Sequence, residues 1–240
     1  MAIIICDLDS TLWGFLGIHW GVYEEGCKHL GGTELKVDSF VPTTTRGYLW
    51  CSVKDKMSEE EFNSKIEDAE KVMATLYKER IGEFLVHNTG ECNADDHDFY
   101  AEPLKDVGLF NGAEEFLKSA KEAGHTLVVG TGNSRITGEA LLEVMGLRDY
   151  FDDFAYGDEG GNRKGVMALA LERGRNISPD GVAFVLDDAT DAVSAGNELG
   201  VKVISMLSSE HGKKVDKEKA FASFSSISHY KAILELISDK

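Results

Sequence analysis

The sequence predicts an α/β protein built on a parallel, Rossmann-like sheet, and three observations predict it. Residues 3–6 form an apolar, mostly β-branched run, the pattern of a strand buried on both faces. From Leu109 onward, short β-branched runs alternate with stretches of helical periodicity, the rhythm of βαβ units. Three predicted strands end abruptly in polar residues: Asp7 with Asp9, Thr131, and Asp187 with Asp188. In open α/β sheets, ligands bind at the carboxyl ends of strands.

The first strand delivers Asp7 and Asp9, two residues apart, and strand alternation sends both to one side. A crossover helix should follow. Instead residues 13–21 are apolar and punctuated by glycine, which reads as a hairpin; Gly31 and Gly32 mark a turn; residues 33–53 mix β-branched and aromatic positions and read as strands. Ser58 and Glu61 form a capping box. The run after it places Phe62, Ile66, Ala69, Val72, Met73, Leu76, Tyr77, Ile81, Phe84 and Leu85 at helical spacing, which predicts a long amphipathic helix broken near Gly82. Residues 88–98 read as a polar loop. The stretch is too long for a loop and has its own apolar face. The expected organisation is therefore a core of residues 1–13 and 104–240 with an inserted, mainly helical cap domain, residues 14–103, over the catalytic edge of the sheet.

In the second half, Asn111 and Gly112 open a helix over 113–123 with Phe116, Leu117 and Ala120 on one face, and Gly124 stops it. A strand over 126–130, a helix over 139–145 and a short extended stretch over 150–156 follow. Next come a helix over 165–173, a turn at 178–181, a strand over 182–186 and a helix over 192–199 closed by Gly200. A strand over 201–206 and a terminal helix over 228–238 complete the pattern.

Composition narrows the function. The 240 residues carry a formal charge of −17, which opposes non-specific binding to nucleic acid or anionic membranes. The four cysteines, Cys6, Cys27, Cys51 and Cys92, show no close pairing motif, and the first apolar run meets Asp7 at once, with no membrane span in sight. A reduced, soluble, cytoplasmic protein is expected, with no nucleic-acid or membrane partner.

The strand ends carry the chemistry. Two like charges held close, Asp7 and Asp9, need a cation or a shared proton. Hard oxygen ligands suit Mg²⁺. One carboxylate can attack while the other moves protons. Thr131 and Gly132 lie in a small-residue turn whose N–H groups can hold a phosphate. Lys164 begins a helix, where a cation opposes the helix dipole unless it serves an anion; Arg163 is its rival. Asp187, with Asp188 or Asp191, adds carboxylates for a divalent cation.

In order and spacing these residues resemble the haloacid dehalogenase superfamily of phosphatases. The run Asp-Leu-Asp-Ser-Thr from Asp7 matches its first motif, Thr131 its second, Lys164 its third, and Asp187 with Asp188 or Asp191 its fourth. The core looks most like the magnesium-dependent phosphatase subgroup, which also has Leu-Trp after the first motif but usually lacks a cap. The resemblance implies Asp7 as nucleophile, carrying an aspartyl-phosphate. It implies Asp9 as the acid that protonates the leaving group and then activates water. Thr131, Gly132 and Lys164 would hold the phosphoryl oxygens. Mg²⁺ would be held by Asp7, Asp9 (through its carbonyl), Asp187 and Asp188. The implied function is hydrolysis of a small phosphorylated metabolite; transfer to another acceptor, or phospho-ligand binding without catalysis, are the alternatives.

Other residues carry weaker signals. Arg46 reads as a surface charge or an anion contact, and Trp13, Trp20 and Trp50 as packing or pocket lining. Cys27, His29, Cys92 and His97 fit no zinc-finger spacing, and Asp95, Asp96 and Asp98 lack the glycine and glutamate of a calcium loop.

Overall fold

A computed structural model of the chain describes residues 1–14, 16–36, 44–87, 108–208, 214, 215, 217 and 219–239. The expectations for residues 88–98, with Cys92, His97 and the acidic run from Asp95, lie outside these residues.

The chain opens with β1 (Ala2–Cys6), buried along its whole length. After a tight turn, β2 (Trp13–Gly14) leads into an insert whose described residues form α1 (Leu16–His29), α2 (Thr45–Val53) and α3 (Glu59–His87). The chain returns at β3 (Gly108–Leu109), which pairs antiparallel with β2. Helices then alternate with strands: α4 (Ala113–Glu122), β4 (Thr126–Gly130), α5 (Arg135–Val144), β5 (Asp153–Ala155), α6 (Gly157–Gly160), α7 (Arg163–Ile177), β6 (Val182–Asp187), α8 (Thr190–Leu199) and β7 (Lys202–Met206). β8 (Ala222–Phe224) and α9 (Tyr230–Ser238) end the described chain.

Six strands form one parallel sheet in the order β5-β4-β1-β6-β7-β8. β1 is central, so each of its faces must be covered, and its alternation divides the core in two. Ile4 and Cys6 join Leu127, Val129, Phe184 and Leu186 beneath α4, α5 and the insert. Ile3 and Ile5 join Val128, Val185 and Val203 beneath α7 and α8. This is the predicted fold class, an α/β core with a helical insert.

Two parts of the insert differ from expectation. Residues 16–29 are helix, not hairpin: Ile18, Val22, Tyr23 and Cys27 form a buried stripe that outweighs Gly17, Gly21 and Gly26. Gly26 has a packing reason, since a Cβ there would lie 2.5 Å from the Met73 sulfur of α3. Residues 45–53 are helix rather than strand, started by Thr44, whose hydroxyl accepts from Gly47 N. The long helix is present: Ser58 caps it through Glu61 N, and Phe62, Ile66, Ala69, Met73, Tyr77 and Ile81 are buried. It runs through Gly82 without a break. Its apolar face is covered within the chain, by α1 and by α5 of the core.

Arg46 has a structural place. Its guanidinium makes a bidentate pair with Glu70 of α3, Nε to Oε1 at 2.9 Å and Nη2 to Oε2 at 3.2 Å, and reaches Asp158 of α6 at 3.9 Å. Glu70 is fully buried. Removing the cation leaves a buried carboxylate without its counter-charge. Arg46→Met is expected to lower stability by about 3 kcal/mol, measured by denaturant unfolding, while Glu70→Met with Arg46→Met recovers part of that loss.

Candidate active site

Three carboxylates gather at the carboxyl ends of β1 and β6, and the strand register explains why they meet. Cys6 pairs with Leu186, and Asp7 N–H donates to the Leu186 carbonyl at 2.9 Å. Asp7 follows Ile5 in alternation, and Asp187 follows Val185, so both emerge on the face covered by α7. Carboxylate oxygens of Asp7, Asp187 and Asp188 lie within 4.8 Å of one another, and all three residues are buried.

One cation stands among them. Arg163, the first residue of α7, places Nη1 at 3.0 Å from Asp187 Oδ2 and 3.3 Å from Asp7 Oδ2, with Nε at 3.9 Å from Asp191. Asn162 sets this position by capping α7 through Gly165 N at 2.9 Å. Lys164 is found elsewhere: its ammonium pairs with Glu198 on the surface and its side chain is 53% exposed. Successive helix positions differ by about 100°, so of two adjacent cations one faces the strand ends and the other faces solvent. Of the two candidate cations, Arg163 faces Asp7 and Asp187, and Lys164 faces solvent.

Burial governs the electrostatics. It pushes Asp7 up to about 7, against the opposing pull of Arg163, with Asp188 and Asp9 adding to the rise. Burial likewise raises Asp187 to about 7, again opposed by Arg163. The Arg163 guanidinium stays charged because Asp187, Asp7, Asp191 and Asp188 outweigh its own desolvation. Three buried carboxylates against one guanidinium leave an excess of negative charge. A divalent cation fits that excess and the all-oxygen donor set. Asp7, Asp187 and Asp188 are the side chains placed to hold it; the Asp9 carboxylate points elsewhere.

Asp9 is not placed by strand alternation. β1 ends at Cys6, and residues 8–12 turn, with Thr11 N and Leu12 N both donating to the Leu8 carbonyl. Ser10 takes φ of 61°, the left-handed region. Asp9 Oδ1 accepts from Trp13 Nε1 at 2.8 Å and Oδ2 from Asn133 Nδ2 at 2.6 Å. Neither Trp13 nor Asn133 stood out in the sequence as a contact of Asp9. Trp13 read as packing or pocket lining, and Asn133 only as part of the turn after β4.

That turn carries the expected hydroxyl. Thr131 is buried, and its Oγ1 accepts from Asn133 N at 3.2 Å and Nδ2 at 3.1 Å. The insert docks on the same turn: Thr45 N donates to the Gly132 carbonyl at 3.0 Å, and Thr45 Oγ1 accepts from Ser134 N at 3.1 Å and bonds the Tyr23 hydroxyl at 2.9 Å. His19, Trp20, Tyr23, Tyr48 and Tyr77 form a continuous aromatic group. Burial is the main influence on the His19, Tyr23, Tyr48 and Tyr77 side chains, and Asp9 adds to it at His19, Tyr23 and Tyr77 and Arg163 at Tyr48, so the group lies in the field of those two charges. Burial holds the His19 imidazole below its usual pKa, and it shares a 2.9 Å hydrogen bond with Tyr77.

The raised carboxylates predict a pH dependence. The folded state holds the Asp7 and Asp187 protons more tightly than the unfolded chain, so their contribution is full below about pH 4. It is lost as pH rises through about 7. In excess chelator, the wild type should therefore lose stability relative to Asp187→Asn between pH 5 and pH 8, as read by paired denaturant titrations. Parallel pH profiles would show that Asp187 is ionised across the range.

Known proteins share this fold. A family model described as haloacid dehalogenase-like hydrolase matches residues 4–206. No curated protein matches at a significant level. Among solved structures, CbbY from Rhodobacter sphaeroides in complex with phosphate is 19% identical, covers 95% of each chain and superposes with a TM-score of 0.67. The same protein has been solved with xylulose-(1,5)-bisphosphate, at 18% identity and a TM-score of 0.63, again over 95% of each chain. β-Phosphoglucomutase from Clostridium difficile is 17% identical, with 100% of this chain and 98% of that one covered and a TM-score of 0.67. These likenesses span the insert as well as the sheet. From the family match over residues 4–206, the chain belongs to the haloacid dehalogenase-like hydrolase family.

Proposed function

We propose that this hydrolase is a Mg²⁺-dependent phosphatase that cleaves a small phosphate monoester through an aspartyl-phosphate on Asp7. The observation that carries the reading is the different setting of the two carboxylates of one motif. Asp7 is buried beside Arg163, Asp187 and Asp188, while Asp9 is turned away and held by neutral N–H donors. A nucleophile and an acid need such different surroundings.

A bound divalent cation would neutralise charge on the phosphoryl group and on Asp7. Arg163 and the Thr131 hydroxyl, with Gly132 N–H, hold the phosphoryl oxygens. Asp7 attacks phosphorus, the bond to the ester oxygen breaks, and Asp9 gives that oxygen its proton. Asp9 then takes a proton from water, which attacks the same phosphorus and frees Asp7 and inorganic phosphate. Positioning and charge neutralisation account for most of catalysis in phosphoryl transfer.

The insert acts as a cap in this reading, and residues 14–103 and the remaining core act as separate units. Its aromatic group faces Asp9 and Arg163, and its contact with Gly132 and Ser134 lies on the phosphate turn. A closed cap excludes water and large substrates, which favours a small phosphorylated metabolite. The apolar face of α3 is covered within the chain by α1 and α5, which favours a cap over a surface for a second copy of the chain. Likeness to a phosphoglucomutase favours transfer to a second acceptor as the alternative outcome of the same first step.

Two outcomes are expected. Asp7→Asn abolishes turnover of 4-nitrophenyl phosphate without loss of fold, excess chelator does the same to the wild type, and acid-quenched Asp9→Asn carries labelled phosphate on Asp7. Label on another residue, or full activity with no metal bound, refutes the mechanism. Arg163→Met lowers kcat/KM by about 10²–10³-fold, the usual cost of losing one charge-stabilising donor, whereas Lys164→Ala stays within about twofold. The reverse ranking returns the phosphate-binding role to Lys164.

A further inference from the structure

We infer that Trp13 is a positioning residue for the acid/base carboxylate, gripping Asp9 from one side while Asn133 grips it from the other. The inference rests on the role proposed for Asp9. Each Asp9 oxygen receives one N–H: Trp13 Nε1 at 2.8 Å on Oδ1 and Asn133 Nδ2 at 2.6 Å on Oδ2. Two donors on two oxygens fix both the position and the plane of the carboxylate. Neither donor is charged, so Asp9 is held without being drawn toward the cation that serves Asp7.

The two donors are themselves anchored. Trp13 is fully buried and pairs with Leu109 across the short β2–β3 ladder. Its carbonyl accepts from Ser10 N at 2.8 Å, and its backbone bridges to Asp9. The turn between them holds Ser10 at φ 61°, a left-handed conformation that is unfavourable for a non-glycine residue. The chain accepts that strain where it brings the indole back over Asp9. Asn133 is fixed by Thr131 Oγ1 and by its own carbonyl, which accepts from Gly157 N at 2.7 Å. Its amide orientation follows, because the flipped form would set two acceptors against each other.

Packing alone does not account for Trp13. A phenylalanine would also fill an apolar site, whereas a buried indole N–H needs an acceptor. The acceptor is the carboxylate that the proposed reaction requires to give and take a proton.

The test separates positioning from packing by leaving group. Leaving-group protonation matters most for poor leaving groups, so Asp9→Ala should lose far more kcat/KM on phenyl and 4-methoxyphenyl phosphate than on 4-nitrophenyl phosphate. Trp13→Phe should show the same tilt, with about tenfold more loss on phenyl than on 4-nitrophenyl phosphate and KM within about twofold. An equal loss on all three esters would reduce Trp13 to a core residue and overturn the inference. Absence of any tilt in Asp9→Ala would instead refute the acid role of Asp9. A second readout holds even where Trp13→Phe fails to fold. In the proton NMR spectrum, with the three indole N–H signals assigned through Trp20→Phe and Trp50→Phe, the Trp13 signal should lie downfield and move upfield in Asp9→Ala. A Trp13 signal unmoved by that substitution overturns the inference on its own.

Discussion

The structure turns on the Arg163 guanidinium lodged between Asp7 and Asp187. Burying a carboxylate without a partner costs several kcal/mol, and three of them meet here. The attraction of one guanidinium offsets that cost only in part, which is why Asp7 and Asp187 still hold protons well above the usual carboxylate range. The residual charge suits a further cation and, in the function proposed here, the cation would in turn favour a phosphoryl dianion. Sheet register, the start of α7 and the Asn162 cap all serve this one contact. A shift of β6 by one residue would turn Asp187 to the opposite face.

Much of this was legible in the sequence because it follows from short periods. The apolar run of β1, the alternation of strand and helix after Leu109, and the polar strand ends identify the sheet and the edge where its carboxylates gather. The long helix was legible from its stripe of buried residues, from Phe62 to Ile81. The first insert helix was not. Gly17 and Gly21 read as hairpin punctuation, yet both lie within α1, whose Gly26 leaves room for Met73 of α3. A helix built for close packing and a glycine-punctuated hairpin share a composition; only the partner helix distinguishes them.

The choice between Arg163 and Lys164 was illegible for a related reason. Both precede Gly165 at the start of one helix, and the dipole argument favours neither. What decides is the rotation of the helix about its axis, set by the Asn162 cap and by the packing of Val166, Met167 and Ala170 on the sheet. Arg46 shows the same limit. Its neighbours in sequence are threonines, and nothing local announces Glu70 at the middle of a helix twenty-four residues on.

The spacing of Asp7 and Asp9 predicts two carboxylates on one side of a strand, and the structure places them differently. Strand alternation would set both carboxylates side by side, competing for one cation and raising each other's affinity for protons. A reaction that needs one of them ionised for attack and the other protonated for departure is ill served by that symmetry. The chain breaks it at Cys6, where β1 ends, and a turn through a left-handed Ser10 carries Asp9 out of the strand direction. Asp7 then lies in the field of Arg163, and Asp9 lies between the indole of Trp13 and the amide of Asn133. Two identical side chains, two residues apart, come to occupy different electrostatic environments, and the strained turn that follows β1 is what makes the difference.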